Sequence, residues 1–338
     1  MTSRGFPGAA IVGSGMALPQ TLLTNADLER MMDTSDEWIR QRTGVVQRRV
    51  AKRELGESTA MLGSRALEAA LHDAGLGPTD LDQIVVATMT PDMPTPSAAC
   101  QIAAAVGAGT VGGFDLSAAC SGFVFALNTA DALVRAGTAR TVGLVGVDII
   151  TRHVDYSNRA RGTSILFGDG AGAMIIQGCD DDALGVQAQA MHTDGARWPD
   201  LFVPMADADF PPDFDHERDG FDLGSLHMNG RAVFKFAVTT FGDVIQETLD
   251  KAGLAADQID HYVCHQSNRR ILDAARERFG LPESKLHVNI DRYGNTVAAS
   301  VALCFAELRA EGRIEPGQLV MFLGFGAGLT WGSSLWRV

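Results

Sequence analysis

The amino-acid sequence predicts an α/β protein built from two similar halves. Three observations carry this prediction: short apolar runs alternate with helical patterns, one segment recurs later in the chain, and glycine is in excess. The chain has 338 residues, of which 37 are glycine, about 11% against a usual ~7%. Only 12 residues are proline, and no Gly-X-Y period runs through the chain, so neither a linker protein nor a collagen fits. The glycines therefore mark turns and close approaches of backbone.

Apolar runs of strand length are separated by segments with helical periodicity. The runs predicted as buried strands are residues 81–87, 141–147, 165–167 and 174–176, and the helical segments between them include residues 64–74 and 122–135. Strands that alternate with helices favour a sheet that is covered on both faces.

An internal repeat supports two halves. Residues 74–87 recur as 252–265, each copy an Ala-Gly-Leu helix end, a turn and an apolar strand. Two further pairs are the Gly-x-Gly-Ala-Gly segments and the helical segments that follow Cys120 and Asn295: 168–172 with 324–328, and 120–137 with 295–312. We predict halves of residues 1–177, with Cys120, and 178–338, with His265 and Asn295. The repeat makes Cys120 equivalent to Asn295 and Ala87 equivalent to His265.

Charge and cysteine content exclude several classes of protein. The net charge is −13 and the pI about 5.0, whereas nucleic-acid binding needs a basic domain. The five cysteines are scattered without a Cys-x-x-Cys pair, so neither a disulfide framework nor a zinc site is expected. No signal peptide and no apolar run of ~18 residues is present. We expect a cytoplasmic protein that binds no metal and no membrane.

Three residues form a candidate nucleophilic site. Cys120 follows a small-residue turn at a predicted helix start, where the positive end of the helix dipole favours a thiolate. His265 ends a predicted strand, and Asn295 stands in Tyr-Gly-Asn-Thr. Taken singly, they fit a buried thiol, a hydrogen-bonded histidine and a turn asparagine. Taken together, a cysteine, a histidine and an asparagine make a nucleophilic constellation possible.

Glycine and charged segments offer further candidates. Residues 324–328 could bring backbone N–H groups to a developing oxyanion, or form only a tight turn between strands, as we expect for 168–172. The chain has no complete dinucleotide fingerprint, P-loop or Gly-x-Ser-x-Gly elbow. Residues 207–222 carry seven acidic residues and one basic residue. This composition indicates an exposed loop, which could lie over the mouth of an active site.

A series of short motifs lies along nearly the whole chain. They are Asp-Thr-Ser-Asp-Glu-Trp-Ile at 33–39, Arg-Thr-Gly at 42–44, Pro-Ser-Ala-Ala-Cys-Gln at 96–101, the Cys120 segment, Phe-Gly-Asp-Gly-Ala-Gly at 167–172, His-Gln-Ser-Asn at 265–268, Tyr-Gly-Asn-Thr at 293–296 and Thr-Trp-Gly at 330–332. In these motifs and their order, the chain resembles the beta-ketoacyl-acyl carrier protein synthase III family of thiolase-fold condensing enzymes.

The resemblance implies a homodimer of five-layered α/β/α/β/α subunits, each made from two duplicated halves. It implies a catalytic triad of Cys120, His265 and Asn295, and an oxyanion hole from the N–H groups of Cys120 and Ala327. The cysteine takes an acyl group from acyl-CoA, and malonyl-acyl carrier protein then loses carbon dioxide and attacks it. The product is a 3-ketoacyl-acyl carrier protein, which initiates fatty acid synthesis. Coenzyme A enters as a substrate, and no cofactor is implied.

The resemblance also implies roles for residues around the triad. The residues expected to line the channel for CoA or phosphopantetheine are Trp38, Arg42, Arg161, Phe234, Asn268 and Arg270. Thr95 stands where some relatives carry a phenylalanine that limits the acyl pocket, so we expect a roomier pocket. Because acyl carrier protein is generally acidic, we expect it to dock on a local basic patch that includes Arg269, Arg276 and Arg278.

Three alternatives compete with a synthase that initiates fatty acid synthesis. The first is a condensing enzyme or acyltransferase of specialised, polyketide-type metabolism that uses the same triad. Retained Asn295 favours condensation over simple acyl transfer. The second is a catalytically silent acyl-binding subunit, against which the intact triad argues. The third is a thiolase proper, which the resemblance disfavours because no cysteine follows Cys304.

Overall fold

The fold is described from a computed structural model, over residues 5–212, 214 and 222–338. Residues 213 and 215–221, within the acidic stretch predicted as an exposed loop, lie outside the described part. The strands are β1 Gly8–Ala17, β2 Thr21–Thr24, β3 Gln47–Val50, β4 Gln83–Ala87, β5 Gly112–Leu116, β6 Thr141–Asp148, β7 Gly170–Cys179, β8 Gly185–Thr193, β9 Leu201–Phe202, β10 His227–Met228, β11 His261–Cys264, β12 Leu319–Gly326 and β13 Thr330–Arg337. The α-helices are α1 Asn25–Glu29, α2 Asp36–Thr43, α3 Thr59–Ala74, α4 Ala98–Val106, α5 Gly122–Arg135, α6 Arg161–Ser164, α7 Gly230–Ala252, α8 Arg269–Arg278, α9 Ile290–Tyr293 and α10 Ala299–Ala310.

Two mixed sheets share one topology. The first has the order β1-β7-β6-β4-β5, and the second has the order β8-β13-β12-β11 when read from the corresponding edge. In both sheets the first strand pairs with the second, and the second with the third, in antiparallel orientation. The third and fourth strands pair in parallel. The first sheet has one more strand, β5, which pairs with β4 in parallel and forms the sheet edge.

Helices fill three layers around these sheets. Helices α5 and α10 contact both sheets and each other, so they form the central layer. Helices α3 and α4 pack on the outer face of the first sheet, and α7 and α8 belong to the core beyond the second. The central core joins apolar side chains of both sheets to those of α5 and α10. The result is the predicted five-layered α/β/α/β/α architecture with two duplicated halves.

The first repeat seen in the sequence is confirmed in detail. Gly75 and Gly253 end α3 and α7 with φ angles of 67° and 66°, and a short 3-10 turn follows each. The carboxylates of Asp82 and Asp260 then accept backbone N–H bonds from the start of β6 and of β12, respectively. The two copies are therefore the same helix, turn and strand unit.

The two other equivalences predicted from the sequence are wrong. The strand pairs set Gly146 opposite Gly172 and Gly324 opposite Gly332, so 168–172 and 324–328 are not equivalent. Residues 170–172 begin β7 rather than form a tight turn. A glycine triplet is too short a signal to fix which strand end it marks.

The structure also shifts the match between the two central helices. Ala119 and Val297 are the two non-glycine residues with left-handed backbone in the described chain, at φ 47° and 51°, and each stands just before its helix. This match makes Cys120 equivalent to Ala298, and Asn295 lies three residues earlier. Asn295 is therefore in the segment before α10 and not at the helix start.

Residues 165–167, predicted as a strand, instead follow α6 as a turn that ends in an isolated bridge between Phe167 and Asn295. Their apolar character reflects burial under the site, which a short run cannot distinguish from a strand. The predicted boundary between halves after residue 177 falls within β7 and stays a prediction. In the described part of the chain, no helix has both the length and the apolar character needed to span a bilayer.

The fit between the halves leads to a stability prediction. A Cβ on Gly146 would lie 2.7 Å from the Phe123 ring and 2.8 Å from the Ala298 carbonyl oxygen. We expect Gly146→Ala to lower the free energy of unfolding by about 1–3 kcal/mol, because the central layer must shift. Gly195→Ala is the matched control, since nothing lies within 4 Å of its added Cβ. Urea titrations that give both variants the wild-type stability would contradict the close fit.

Candidate active site

Cys120 lies in a 3-10 turn directly before α5, in the centre of the molecule. Its neighbour Ala119 has a left-handed φ of 47°, a conformation that clusters at functional sites. The hydroxyl of Ser121 lies 2.6 Å from that of Thr330 and fixes the turn to β13. A Cβ on Gly326 would stand 2.6 Å from the Cys120 nitrogen, so only glycine permits this approach of β12. Cys120 is 7% exposed.

His265 follows β11 directly and is 1% exposed. Its N–H donates to the carbonyl of Leu323 at 2.8 Å, which continues the pairing of β11 with β12. The ring packs edge-on against Phe325, with centroids 5.4 Å apart. Its Nδ1 atom lies 2.6 Å from the hydroxyl oxygen of Ser300. The ring is thus fixed on one side, which leaves Nε2 for the cavity.

Asn295 is held by backbone on both sides and by its own side chain. Its N–H donates to Leu166 O at 2.8 Å, and its carbonyl accepts from Gly168 N at 3.0 Å. The amide oxygen accepts from Val297 N at 2.9 Å. The Nδ2 group is therefore the part of the carboxamide that can donate to a ligand.

A buried carboxylate supports the segment between Asn295 and Ser300. Asp148, the last residue of β6, is fully buried and accepts from Ala298 N at 3.1 Å. Its other oxygen accepts from Met89 N at 2.8 Å and from the hydroxyls of Thr88 and Thr90. Burial raises the pKa of Asp148 to about 6, although these hydrogen bonds oppose the shift.

Burial also dominates the electrostatics of the reacting groups. It raises the pKa of the Cys120 thiol, and the nearby Asp148 carboxylate raises it further. It lowers the pKa of His265 to about 3. Desolvation thus opposes the thiolate that the helix terminus favours. The resting pair is a neutral thiol and a neutral imidazole.

The three residues meet in one narrow cavity of about 90 Å³. Cys120, His265 and Asn295 line it together with Ser267, Asn268 and a mostly apolar wall. That wall consists of Leu166, Phe167, Leu201, Met228, Val233, Phe234, Ile271 and Phe325, with Gly230 and Gly326. The structure thus brings the predicted triad residues together, in a setting suited to an apolar chain next to a thiol.

An outer cleft of about 590 Å³ continues from this cavity, because Leu166, Met228, Gly230, Phe234 and Asn268 line both. Among the described residues that line the cleft, four are arginines and none is acidic: Arg42, Arg159, Arg231 and Arg270. Arginines are well suited to bind phosphate. The cleft can therefore hold the anionic end of a ligand whose reactive end reaches Cys120.

The predicted channel residues lie in or beside this cleft. The guanidinium groups of Arg42 and Arg161 both lie over the ring of Trp38, at 5.4 and 4.9 Å from its centroid. Arg270 lies 5.0 Å from the centroid of Phe234. Asn268 begins α8, where its side chain accepts from Arg270 N and donates to the carbonyl of Arg42.

Two predicted sites stand apart from the cavity. Thr95 lies exposed in the loop before α4 and lines neither the cavity nor the cleft of its own chain. Arg269, Arg276 and Arg278 all lie on α8, with Arg278 on the side that faces α7, and each has an acidic neighbour. Arg269 binds Asp273 at 2.9 Å, Arg276 lies 3.7 Å from Glu283, and Arg278 binds Asp243 at 2.8 Å.

Sequence reasoning did not identify Asp148 or Ser300, which hold the triad in place, or Ser267 in the cavity. The sequence offers one sign for Asp148, which is the first charged residue after the apolar run 141–147. It offers none for Ser300, because the role of Ser300 depends on a contact with His265 from another element. Within the described residues, no cluster of three or more His, Cys, Asp or Glu side chains could hold a metal ion.

Comparison with known proteins identifies the family. Two family models match the chain. The model described as "3-Oxoacyl-[acyl-carrier-protein (ACP)] synthase III C terminal" matches residues 249–338, and the model described as "3-Oxoacyl-[acyl-carrier-protein (ACP)] synthase III" matches residues 114–195. A beta-ketoacyl-[acyl-carrier-protein] synthase III of Erythrobacter litoralis is 44% identical, over 97% of this chain and 99% of that protein. The chain belongs to the beta-ketoacyl-acyl carrier protein synthase III family.

Solved structures of synthase III relatives have the same fold. The 3-oxoacyl-[acyl-carrier-protein] synthase III of Aquifex aeolicus has a TM-score of 0.89 and 38% identity, over 98% of this chain and all of that one. A priming beta-ketosynthase of the R1128 polyketide pathway has a TM-score of 0.87 and 33% identity, over 100% and 98% of the two chains. The fold is thus the thiolase fold of condensing enzymes, as predicted.

The burial of His265 leads to a prediction about its titration. We expect the Cε1–H resonance of His265 to stay at its neutral position from about pH 8 to about pH 5, because burial lowers its pKa to about 3. An unfolded histidine takes up a proton near pH ~6.5. Protonation of the unfolded chain therefore makes His265 a destabilising group as the pH falls below that value. NMR spectra, assigned with His265→Gln, that show an inflection near pH ~6.5 would contradict this.

Proposed function

We propose that the protein condenses an acyl group from acyl-CoA with malonyl-acyl carrier protein, releasing carbon dioxide and giving a 3-ketoacyl-acyl carrier protein. This is the reaction that initiates fatty acid synthesis, and we place it in the cytoplasm. The carrying observation is that Cys120, His265 and Asn295 line one apolar cavity that opens into an arginine-lined cleft.

The first half-reaction is acyl transfer to Cys120. The sulfur attacks the thioester carbonyl, the C–S bond to CoA breaks, and the proton of the thiol ends on the CoA sulfur. Burial lowers the pKa of His265 to about 3, so its imidazole is neutral before the reaction. A neutral imidazole can accept that proton during the attack. The N–H groups of Cys120 and Ala327 would stabilise the oxyanion that forms on the acyl carbonyl.

The second half-reaction forms the carbon–carbon bond. The malonyl C–C bond breaks to release carbon dioxide, and its electrons move towards the thioester oxygen as an enolate. His265 and Asn295 would donate hydrogen bonds to that oxygen, for which the Nδ2 group of Asn295 is available. The enolate carbon then attacks the acyl group on Cys120, and the Cys120 sulfur leaves as a thiolate that takes up one proton from solvent.

The outer cleft is suited to the charged end of CoA. The phosphates would bind Arg42, Arg161 and Arg270, while Trp38 offers a flat surface for the adenine. Phe234 and Asn268, which line both cavities, would contact the phosphopantetheine arm. The protein needs no cofactor for this reaction, because CoA and the carrier protein are substrates.

A specialised-metabolism condensation or a simple acyl transfer is not favoured. Relatives at about 40% identity over nearly the whole chain bear the synthase III name, and Asn295 is retained in a position to donate to an enolate. The proposal therefore keeps both half-reactions.

We also propose a homodimer that forms along β5. This strand is a sheet edge without a counterpart in the second sheet, and its Phe114 is 38% exposed. Met93, in the loop that carries Thr95, is 43% exposed. An open, partly apolar edge is suited to pairing with a second copy. Thr95 would then reach the partner's acyl pocket and leave it roomier than a phenylalanine would.

The two half-reactions can be separated by mutation. We expect Asn295→Ala to accept an acyl group on Cys120 from acyl-CoA at a rate near that of the wild type. Its condensation rate should fall by about 10²–10³, since it loses one oxyanion donor. Mass spectrometry of the intact protein before and after a malonyl-carrier chase measures both steps. Cys120→Ala, which should take up no acyl group, is the control. Transfer of the acyl group to the carrier without elongation would overturn the proposal.

The carrier is proposed to dock on Arg269, Arg276 and Arg278. Because each has an acidic neighbour, we propose glutamine substitutions, which remove charge without placing two carboxylates together. The triple variant should raise KM for malonyl-carrier protein severalfold, less so at high salt, and leave acylation by acyl-CoA unchanged. Arg337→Gln, on the last strand, is the matched control. Equal loss in both half-reactions would contradict this docking site.

A further inference from the structure

Arg48, in β3, is a cation that the interior holds without a carboxylate beside it. The residue is fully buried. Within the described chain its guanidinium binds two neutral groups: Nη1 donates to the amide oxygen of Asn25 at 2.8 Å, and Nη2 donates to the carbonyl oxygen of Ile165 at 2.6 Å. Burial lowers the pKa of Arg48 to about 10, so the group is still charged at neutral pH. Burying a charge in this way costs free energy, and a neutral residue of similar volume would fill the space at lower cost.

The hydrogen bond from Nη2 holds the turn that supports Asn295. Ile165 is the cap residue after α6, where the last carbonyl groups of a helix lack partners within the helix. The next residue, Leu166, accepts from the Asn295 N–H at 2.8 Å, and Gly168 N donates to the Asn295 carbonyl at 3.0 Å. Arg48 therefore binds the first residue of the segment that holds the backbone of Asn295 on both sides.

The stem of Arg48 packs against both chain segments that meet at this turn. A Cβ on Gly168 would lie 2.8 Å from the Arg48 Cβ, and one on Gly294 would lie 3.4 Å from it. The absence of a side chain at each glycine thus lets its segment approach the stem. The backbone beside Arg48 is bonded to the first of these segments, since Asp169 N donates to Arg49 O at 2.8 Å. Strand β3 and the Arg48 side chain together support the backbone around Asn295.

The two hydrogen bonds of Arg48 require the fork of a guanidinium. They reach groups of two separate elements, Asn25 at the start of α1 and Ile165 after α6. Asn25 is itself fixed, because its Nδ2 group donates to Asp36 Oδ1 at 2.8 Å and to Val45 O at 2.9 Å. A lysine ammonium is a single point of charge, and a methionine has no donor. Neither residue could therefore make both contacts.

We propose that Arg48 is a positioning residue for Asn295: its guanidinium fixes residues 165–168, and these hold Asn295 where its carboxamide can donate to the enolate oxygen. This inference rests on the proposed function, which assigns that donor role to Asn295. Cys120 and His265 are held from β13 and β12 instead. Arg48 should therefore matter for the condensation, in which the enolate forms, and not for acylation of Cys120.

Removal of the guanidinium tests the proposal. Arg48→Met keeps an apolar stem and loses both hydrogen bonds. It should lower the condensation rate by about 10²-fold, the cost of a misplaced group, and leave acylation of Cys120 by acyl-CoA near the wild-type rate. Mass spectrometry of the intact protein before and after a malonyl-carrier chase measures both steps. Arg48→Lys, which keeps the charge and one donor, should recover part of the condensation rate, and it carries the test if Arg48→Met does not fold.

A double variant separates positioning from a general structural role. If Arg48 acts through Asn295, then Arg48→Met combined with Asn295→Ala should condense at the rate of Asn295→Ala alone, because the group to be positioned is absent. A further loss in the double variant as large as that in the wild-type background would overturn the proposal. Equal loss in both half-reactions of the single variant, or no loss in either, would overturn it as well.

Arg135→Met is the matched control. Arg135 also joins separate segments, since it donates to Leu184 O at 3.0 Å and pairs with Asp131, but it lies at the opposite end of α5 from Cys120. Its replacement should change the rate of neither half-reaction. Failure of the proposed function would look different, because the wild-type protein would then form no acyl-Cys120 or would not elongate the group it carries.

Discussion

The buried carboxylate of Asp148 joins the two halves at the site. It ends β6 in the first half and accepts from Ala298 N in the second, as well as from Met89 N beside it. Ala298 is buried and Met89 is partly buried, so the loss of the carboxylate would leave donors without partners. Burial disfavours the charged form of Asp148 and raises its pKa to about 6, even though these donors stabilise the carboxylate. This contact fixes the middle of the Asn295–Ser300 segment at Ala298.

That segment orients both groups proposed to stabilise the enolate. Val297, at a φ of 51°, directs its N–H to the Asn295 amide oxygen and its carbonyl to the Ser300 hydroxyl. Ser300 in turn contacts Nδ1 of His265. One strained turn therefore sets the carboxamide directly and the imidazole through a single side chain.

The sequence predicts the site residues better than it predicts how they are arranged. Cys120, His265 and Asn295 could be chosen because their flanking motifs are local and unusual. The predicted equivalence of Cys120 and Asn295 is wrong, since helix α10 begins later after Asn295 than α5 does after Cys120. That of Ala87 and His265 agrees with the strand pairing. Residues 165–167 were assigned to a strand because burial and strand formation give the same short apolar run. Asp148 and Ser300 act through contacts between distant segments, which no single segment predicts.

Burial of the site has opposite effects on its two reacting groups, and both effects suit a condensing enzyme. It raises the pKa of Cys120 and lowers that of His265, so the resting pair carries no charge. A neutral imidazole can accept the thiol proton at Nε2 as the sulfur attacks, and it can donate to an enolate in a form that carries a proton on Nε2. The same exclusion of water strengthens hydrogen bonds to a developing oxyanion. It also keeps water from the acyl-cysteine, whose hydrolysis would compete with carbon–carbon bond formation.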